Sequence, residues 1–370
     1  MQAPGEFILT GIPGRRVTPA VERRLRALRP AGIVLFRRNI GTPQEVLELT
    51  RALRRVLGRR CLVAIDQEGG RVARLRDGFT QWPTLRALGS LPGTRAAHEA
   101  AMALGRELAA LGVDINFAPV LDVDSNPRNP VIGDRSFSSD PLRVGRLGRA
   151  YAEGLTAGGV LACGKHFPGH GDTDVDSHFG LPRVRARRAT LEKRDWPPFR
   201  AAIRAEMPLL MSCHVVYDAL DSDMPATFSP AILDGILRSE LGFAGVLASD
   251  DLAMGALAGN GVGTRAVRAF AAGCDLLLAC QKLSHGEAAA RALAHHQRDS
   301  AGARARVRSS RARLRALHKA LADVRRGRAR TPLESILAEN ERLAARLQRR
   351  LEARTAAGAS PRTSRARLRR

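Results

Sequence analysis

Eight short apolar runs punctuate the first 280 residues at fairly even intervals: Phe7–Leu9, Gly32–Phe36, Cys61–Ile65, Asp114–Val120, Val160–Cys163, Pro208–Ser212, Gly245–Ala248 and Asp275–Ala279. Each is strand-length and rich in Val, Ile and Leu with little alternation, the pattern of strands buried on both faces. Helix-like stretches separate them, at Thr42–Val56, His98–Leu111, Pro141–Thr156, Ser229–Glu240 and Thr264–Ala272. In the first of these Thr42 is placed to cap and Pro43 to occupy the first turn. Eight alternations favour a closed (β/α)8 TIM barrel of the α/β class over an open doubly wound sheet, which has fewer strands and a glycine-rich phosphate turn after the first. No G-x-G-x-x-G follows a strand here. The barrel should close near residue 281.

The organisation that follows is a barrel domain over 1–300, a helical Arg-rich extension over 301–352 and a disordered basic tail over 353–370. Leu314–Val324 and Leu333–Leu351 are the amphipathic helices expected in the extension. Of the formal net charge of +24, +17 falls beyond residue 290, and lysine supplies only 4 of the 60 basic residues. A GC-rich genome accounts for such an arginine skew, so the tail reads as a solvated appendage. Binding of nucleic acid or another anionic polymer through it is the alternative. A hydrophobic content of 44% excludes a wholly disordered basic chain. No run approaches the ~20 apolar residues of a membrane-spanning helix. The start lacks the features of a signal peptide, so a soluble cytoplasmic protein without a membrane partner is expected. Five scattered cysteines argue against a disulfide framework and for reduced core thiols.

Barrel chemistry sits on loops at the carboxyl ends of the strands, and the polar residues gather there. Asp66, Gln67 and Glu68 follow the third run; Asp122, Asp124, Asp134 and Arg135 follow the fourth; His214 follows the sixth; Asp250 and Asp251 follow the seventh. The densest segment follows the fifth, Lys165-His166-Phe167-Pro168-Gly169-His170-Gly171-Asp172-Thr173-Asp174-Val175-Asp176-Ser177-His178. By spacing alone it suits either a metal site or acid/base chemistry. Gly169 and Gly171 around His170 suggest a mobile loop, which fits an acid/base catalyst better than a ligand cage.

This segment resembles the signature of bacterial β-N-acetylglucosaminidases of glycoside hydrolase family three. Asp66-Gln67-Glu68-Gly69-Gly70-Arg71-Val72, Gly133-Asp134-Arg135-Ser136-Phe137 and Ser249-Asp250-Asp251-Leu252-Ala253-Met254 resemble that family's other blocks, in order, across residues 7 to 290. The resemblance implies a retaining β-N-acetylhexosaminidase with Asp250 as nucleophile, His170 as acid/base and Asp172 as the partner of His170. It implies that Asp66, Arg74, Arg135, Lys165 and His166 bind the sugar, and it requires no metal and no cofactor. The implied substrate is a peptidoglycan fragment, N-acetylglucosamine linked to 1,6-anhydro-N-acetylmuramic acid with or without peptide, met by a monomer during cell-wall recycling. A phosphorylase on the same scaffold, with phosphate replacing water, is the alternative within catalysis. Asp251 is expected to cap a helix, Asp176 and His178 to hold the loop, His214 to support the site or touch substrate, and Trp82 and Trp196 to anchor core or loops. The first strand lacks the acidic residue common just after it in relatives, and no second α/β domain follows the barrel.

Overall fold

The computed structural model describes residues 5–176, 180–257, 259–299, 301–328 and 331–359. Eight parallel strands form its centre: β1 (Ile8–Thr10), β2 (Gly32–Leu35), β3 (Leu62–Ile65), β4 (Ile115–Asn116), β5 (Leu161–Phe167), β6 (Leu209–Ser212), β7 (Val246–Ala248) and β8 (Leu277–Ala279). They pair in sequence order from β1 to β7, and β8 returns to β1 in register Ile8 with Leu277. A parallel bridge between Ala248 and Leu276 closes the ring. Each strand lies within one of the eight apolar runs or overlaps it, so the (β/α)8 expectation holds. All eight are buried along their length, and that is why their sequences lack the alternation of half-exposed strands.

Outside the barrel lie α1 (Pro19–Leu28), α2 (Pro43–Leu57), α3 (Arg95–Ala110), α4 (Pro141–Ala157), α5 (Pro197–Arg204), α6 (Ala231–Glu240, wound as a π-helix), α7 (Val262–Ala272) and α8 (Leu283–Asp299). The start of α2 shows how local sequence sets a boundary. The Thr42 hydroxyl accepts from the Glu45 N–H, the Glu45 carboxylate accepts from the Thr42 N–H, and Pro43 fills the first turn, where its missing donor costs nothing. Its inward stripe of Val46, Leu49 and Leu53 packs on the barrel. All five cysteines are buried free thiols, and Trp82 and Trp196 are buried.

The Arg-rich extension is packed against the barrel. It forms α9 (Ala301–Arg326) and α10 (Leu333–Ala359), longer than the two helices expected from the sequence. Helix α9 buries Val307, Leu314, Leu317 and Leu321 and sends arginines under the barrel. There Asp275, just before β8, accepts Arg306 at 3.0 Å, Arg313 at 3.2 Å and the Ser310 hydroxyl at 2.7 Å, with Arg238 of α6 at 2.7 Å. Asp114, just before β4, is bound by Arg325 at 2.7 Å, Arg328 at 3.0 Å and Arg54 of α2 at 2.9 Å. Both carboxylates are fully buried, so several guanidinium donors supply what water would otherwise give. Helix α10 lies on α3, where the buried Asn340 amide donates to the Ala103 carbonyl and to Glu107. Residues 360–370, most of the expected disordered tail, lie outside the described residues.

Candidate active site

Asp66 ends β3, and the chain after it turns through a tight hairpin, Gln67–Gly69 with Val72–Ala73. The buried Gln67 side chain fixes that hairpin by accepting from the Arg74 and Leu75 N–H groups and donating to the Leu75 carbonyl. The turn thereby brings the Arg74 guanidinium to Asp66 at 3.1 Å. From β5, the Lys165 ammonium reaches Asp66 at 2.8 Å and Glu68 at 2.7 Å. Arg135, from the segment after β4, completes the cluster with a two-pronged pair to Glu68 at 2.8 and 2.9 Å. Four of the five expected sugar-binding residues therefore meet in one recess at the carboxyl ends of β3, β4 and β5.

Burial alone would raise the carboxyl pKa values, but the surrounding cations outweigh it. Asp66 is held well below the usual carboxylate range by Lys165 and Arg74, and Glu68 falls to about 2 through Arg135 and Lys165. For Lys165, burial favours loss of the proton and the two carboxylates reverse that, raising its pKa. Asp66, Glu68 and Lys165 all stay charged at neutral pH. Such a lattice of fixed charges can bind hydroxyl and carbonyl oxygens without reorganising.

The fifth expected contact, His166, stands beside this cluster and is oriented from below by the buried Asp122. Its Nδ1 lies 2.7 Å from the Asp122 carboxylate, which also accepts the His166 N–H at 3.1 Å and the His170 N–H at 2.7 Å. One carboxylate at the end of β4 thus sets the backbone of the whole β5 loop. Despite its burial, the two histidines keep Asp122 below the ordinary range.

Asp250 ends β7. One carboxylate oxygen accepts the Asp251 N–H at 2.8 Å. Burial opposes its ionisation, yet His214, His166, that N–H and Lys165 together hold its pKa below normal. Asp251 accepts the N–H groups of Ala253 and Cys280, so it caps the turn after β7 and ties it to β8. Burial raises its own pKa to about 6. His214 Nε2 donates to the Asp251 carbonyl, and its Nδ1 lies 2.9 Å from the Thr227 hydroxyl.

The loop carrying His170 is closely packed and held by local partners. Gly169 and Gly171 serve close packing: a Cβ on Gly171 would fall 1.6 Å from the Val123 carbonyl oxygen, and one on Gly169 would fall 2.8 Å from Asp195. His170 itself is buried, with Nδ1 2.9 Å from the Thr173 hydroxyl and its carbonyl bound by Asn129. Burial, with His166 nearby, lowers its pKa to about 4, so the imidazole is neutral at pH 7. Asp172 is paired with Arg194 at 2.8 Å, and Arg194 also holds the buried Asp195. The Thr173 hydroxyl lies against the His170 ring and Arg194 against Asp172, whereas the resemblance implies that His170 and Asp172 work as a pair. Asp134, a neighbour of Arg135 in sequence, pairs with Arg71. His178 lies outside the described residues.

The residues whose roles the sequence left unassigned are Glu68, Asp122, Thr173, Arg194 and Asp195. Glu68 and Asp122 were visible as rim acids, but each finds its partners across the barrel. Arg194 and Asp195 sit in a segment with no signal of its own. Among the described residues no group of three or more His, Cys, Asp or Glu has metal-binding geometry, and no helix is long and apolar enough to cross a membrane.

Known proteins resemble this chain in sequence and fold. Residues 11–317 match the model of the glycosyl hydrolase family 3 N-terminal domain. A β-hexosaminidase of Neisseria meningitidis is 42% identical over 287 residues, covering 75% of this chain and 79% of the relative. The NagZ of Neisseria gonorrhoeae in complex with N-trifluoroacetyl-D-glucosamine superposes with a TM-score of 0.73 at 36% identity, covering 89% of this chain and 99% of that one. A family 3 β-N-acetylglucosaminidase from Paenibacillus reaches a TM-score of 0.87 at 38% identity, covering 93% of this chain and 67% of the other. With the family model matching most of its length and relatives agreeing in sequence and fold over three quarters of it or more, the chain belongs to glycosyl hydrolase family 3.

Proposed function

We propose that this glycosyl hydrolase is a retaining β-N-acetylhexosaminidase that releases terminal N-acetylglucosamine from peptidoglycan fragments, N-acetylglucosamine linked to 1,6-anhydro-N-acetylmuramic acid with or without peptide, within cell-wall recycling in the cytoplasm. The observation that carries the reading is Asp250, an ionised carboxylate at the end of β7 within the field of Lys165 and His166. The N-trifluoroacetylated glucosamine bound by the Neisseria gonorrhoeae relative supports an N-acyl glucosamine as the sugar class.

In the first step the Asp250 carboxylate attacks the anomeric carbon as the glycosidic C–O bond breaks and the leaving oxygen takes a proton from an imidazole. In the second, water attacks the glycosyl-enzyme ester, gives its proton to the same imidazole and frees Asp250. We assign that imidazole to His170, with Asp172 as its partner. Working in this way requires the loop to release Thr173 and Arg194, because a histidine with a pKa near 4 does not carry the proton at neutral pH. Asp66, Arg74, Arg135, Lys165 and His166 hold the sugar.

Two measurements test the reading. Mass spectrometry after exposure to a 5-fluoro N-acetylglucosaminyl fluoride should find the label on Asp250; a label elsewhere sinks the nucleophile assignment. His170→Gly should slow cleavage of an unactivated glycoside far more than of an aryl glycoside with a good leaving group. If that selective loss follows His178→Gly instead, the acid/base is a different histidine of the loop, while Asp250 keeps its role.

A further inference from the structure

At the end of the barrel opposite the catalytic rim, α9, the ends of α1 and α2 and the residues before β2 and β3 border an open hollow of about 670 Å³. This is within the size range of small-molecule sites, roughly 300–1,000 Å³. Its floor is apolar, formed by Pro30, Ala31, Val56, Leu57 and Leu314, and its walls are cationic. Arg26 and Arg311 are neutralised by Glu22 and Glu6. Arg29, Arg60 and Arg315 also line it, and none of the three has a side-chain hydrogen bond or ion pair among the described residues.

Those three guanidinium groups come from three separate elements: the end of α1, the loop before β3, and α9. Arg29 caps α1 in the left-handed region at φ 48°. That conformation disfavours a long side chain and favours glycine, yet an arginine stands there. The wall residue His318 registers the uncompensated field. Burial lowers its pKa first, and Arg60 and Arg325 lower it further, against the attraction of Asp114. The charge of Asp114 is already taken by Arg54, Arg325 and Arg328, and that of Glu6 by Arg311.

We propose that this basal hollow is a binding site for a small molecule carrying two or more phosphoryl groups on an uncharged body, the class of the nucleoside polyphosphates. Three exposed guanidinium groups around one hollow can each fork onto phosphoryl oxygens, and the apolar lining receives the rest of the molecule. The site is independent of the glycosidase reading, since none of its residues lies at the carboxyl ends of the strands. A bound ligand would bridge α9 to the barrel and stabilise the fold by mass action.

The test is titration calorimetry of the full chain at about 0.15 M salt, where bare surface charge is screened, with ATP, inorganic tripolyphosphate and citrate as probes. ATP should bind saturably at one site per chain and raise Tm. Tripolyphosphate should bind more weakly, and citrate more weakly still. The double variant Arg60→Ala/Arg315→Ala should lose at least about tenfold in ATP affinity, the scale of one charge-assisted contact. It should keep the wild-type kcat on an aryl N-acetylglucosaminide. Arg346→Ala, on α10, should leave ATP binding unchanged and serves as the control for loss of general charge. Equal affinity in the double variant and wild type overturns the proposal. So does binding only of long RNA with no response to ATP, or citrate binding as tightly as ATP.

Discussion

The two ends of the barrel solve the same electrostatic problem to opposite purposes. Both bury carboxylates against cations. At the base, Asp114 and Asp275 are each saturated by three guanidinium groups, and the donors come from helices wrapped beneath the strands. At the rim, Asp66, Glu68, Lys165 and Arg135 neutralise one another, while Asp250 receives a single backbone N–H and lies within a positive field. A saturated carboxylate has no capacity left for a reaction and holds elements together. An under-coordinated one, kept ionised by charges it does not touch, is available as a nucleophile.

Breaking each end should therefore give a different signature. With Asp250 as the nucleophile proposed above, Asp250→Asn should lower kcat by about 1,000-fold or more, with a Tm at or above that of wild type, measured by steady-state kinetics and calorimetry. Asp275→Asn should do the reverse, because it leaves Arg238, Arg306 and Arg313 crowded under the barrel without their anion. A loss of about 3–5 kcal/mol in denaturant unfolding is expected from the cost of breaking a buried ion pair, with kcat of the folded fraction unchanged. An equal loss of kcat would show that the base communicates with the rim.

Acid should affect both ends in the same window. Glu68 has a folded pKa near 2 against an unfolded value of about 4.3. Its stabilisation is thus complete above the unfolded value and is lost as pH falls from about 4 towards 2. Asp114 is shifted in the same direction. Unfolding free energy measured against pH should fall through that window, and Glu68→Gln should flatten the slope.

The smallest expected effect has the opposite sign. Burial raises Asp195 to about 7, so the stability due to its protonated form is present below about pH 4 and is lost as pH rises through 7. Asp195→Asn should gain Tm relative to wild type above pH 7 and differ little at pH 4 and below. Because Asp195 shares Arg194 with Asp172, the same variant should alter the pH profile of kcat if the loop has to release Asp172 during turnover.

Much of this was legible before folding. Doubly buried parallel strands have a local signature, continuous Val, Ile and Leu, so eight runs gave eight strands in order. Residues that follow a strand's carboxyl end fall at the rim of any such barrel, so Asp66, Lys165, His166 and Asp250 could be gathered without coordinates. The extension misled because charge count says nothing of geometry: Arg306, Arg313, Arg325 and Arg328 read as a solvated appendage, yet they are the cations beneath the strands.

The order of strands and helices, and the end of the barrel that carries the chemistry, belong to the sequence, because both follow from periodicity and from side chains near each strand terminus. The partnerships belong to the tertiary structure. Asp122 meets His166 from 44 positions away, and Arg325 meets Asp114 from 211. Contacts at that separation exist only once the ring has closed and fixed which strand ends adjoin. Whether a carboxylate becomes a clamp or a nucleophile is decided there, by how many donors the closed barrel brings to it.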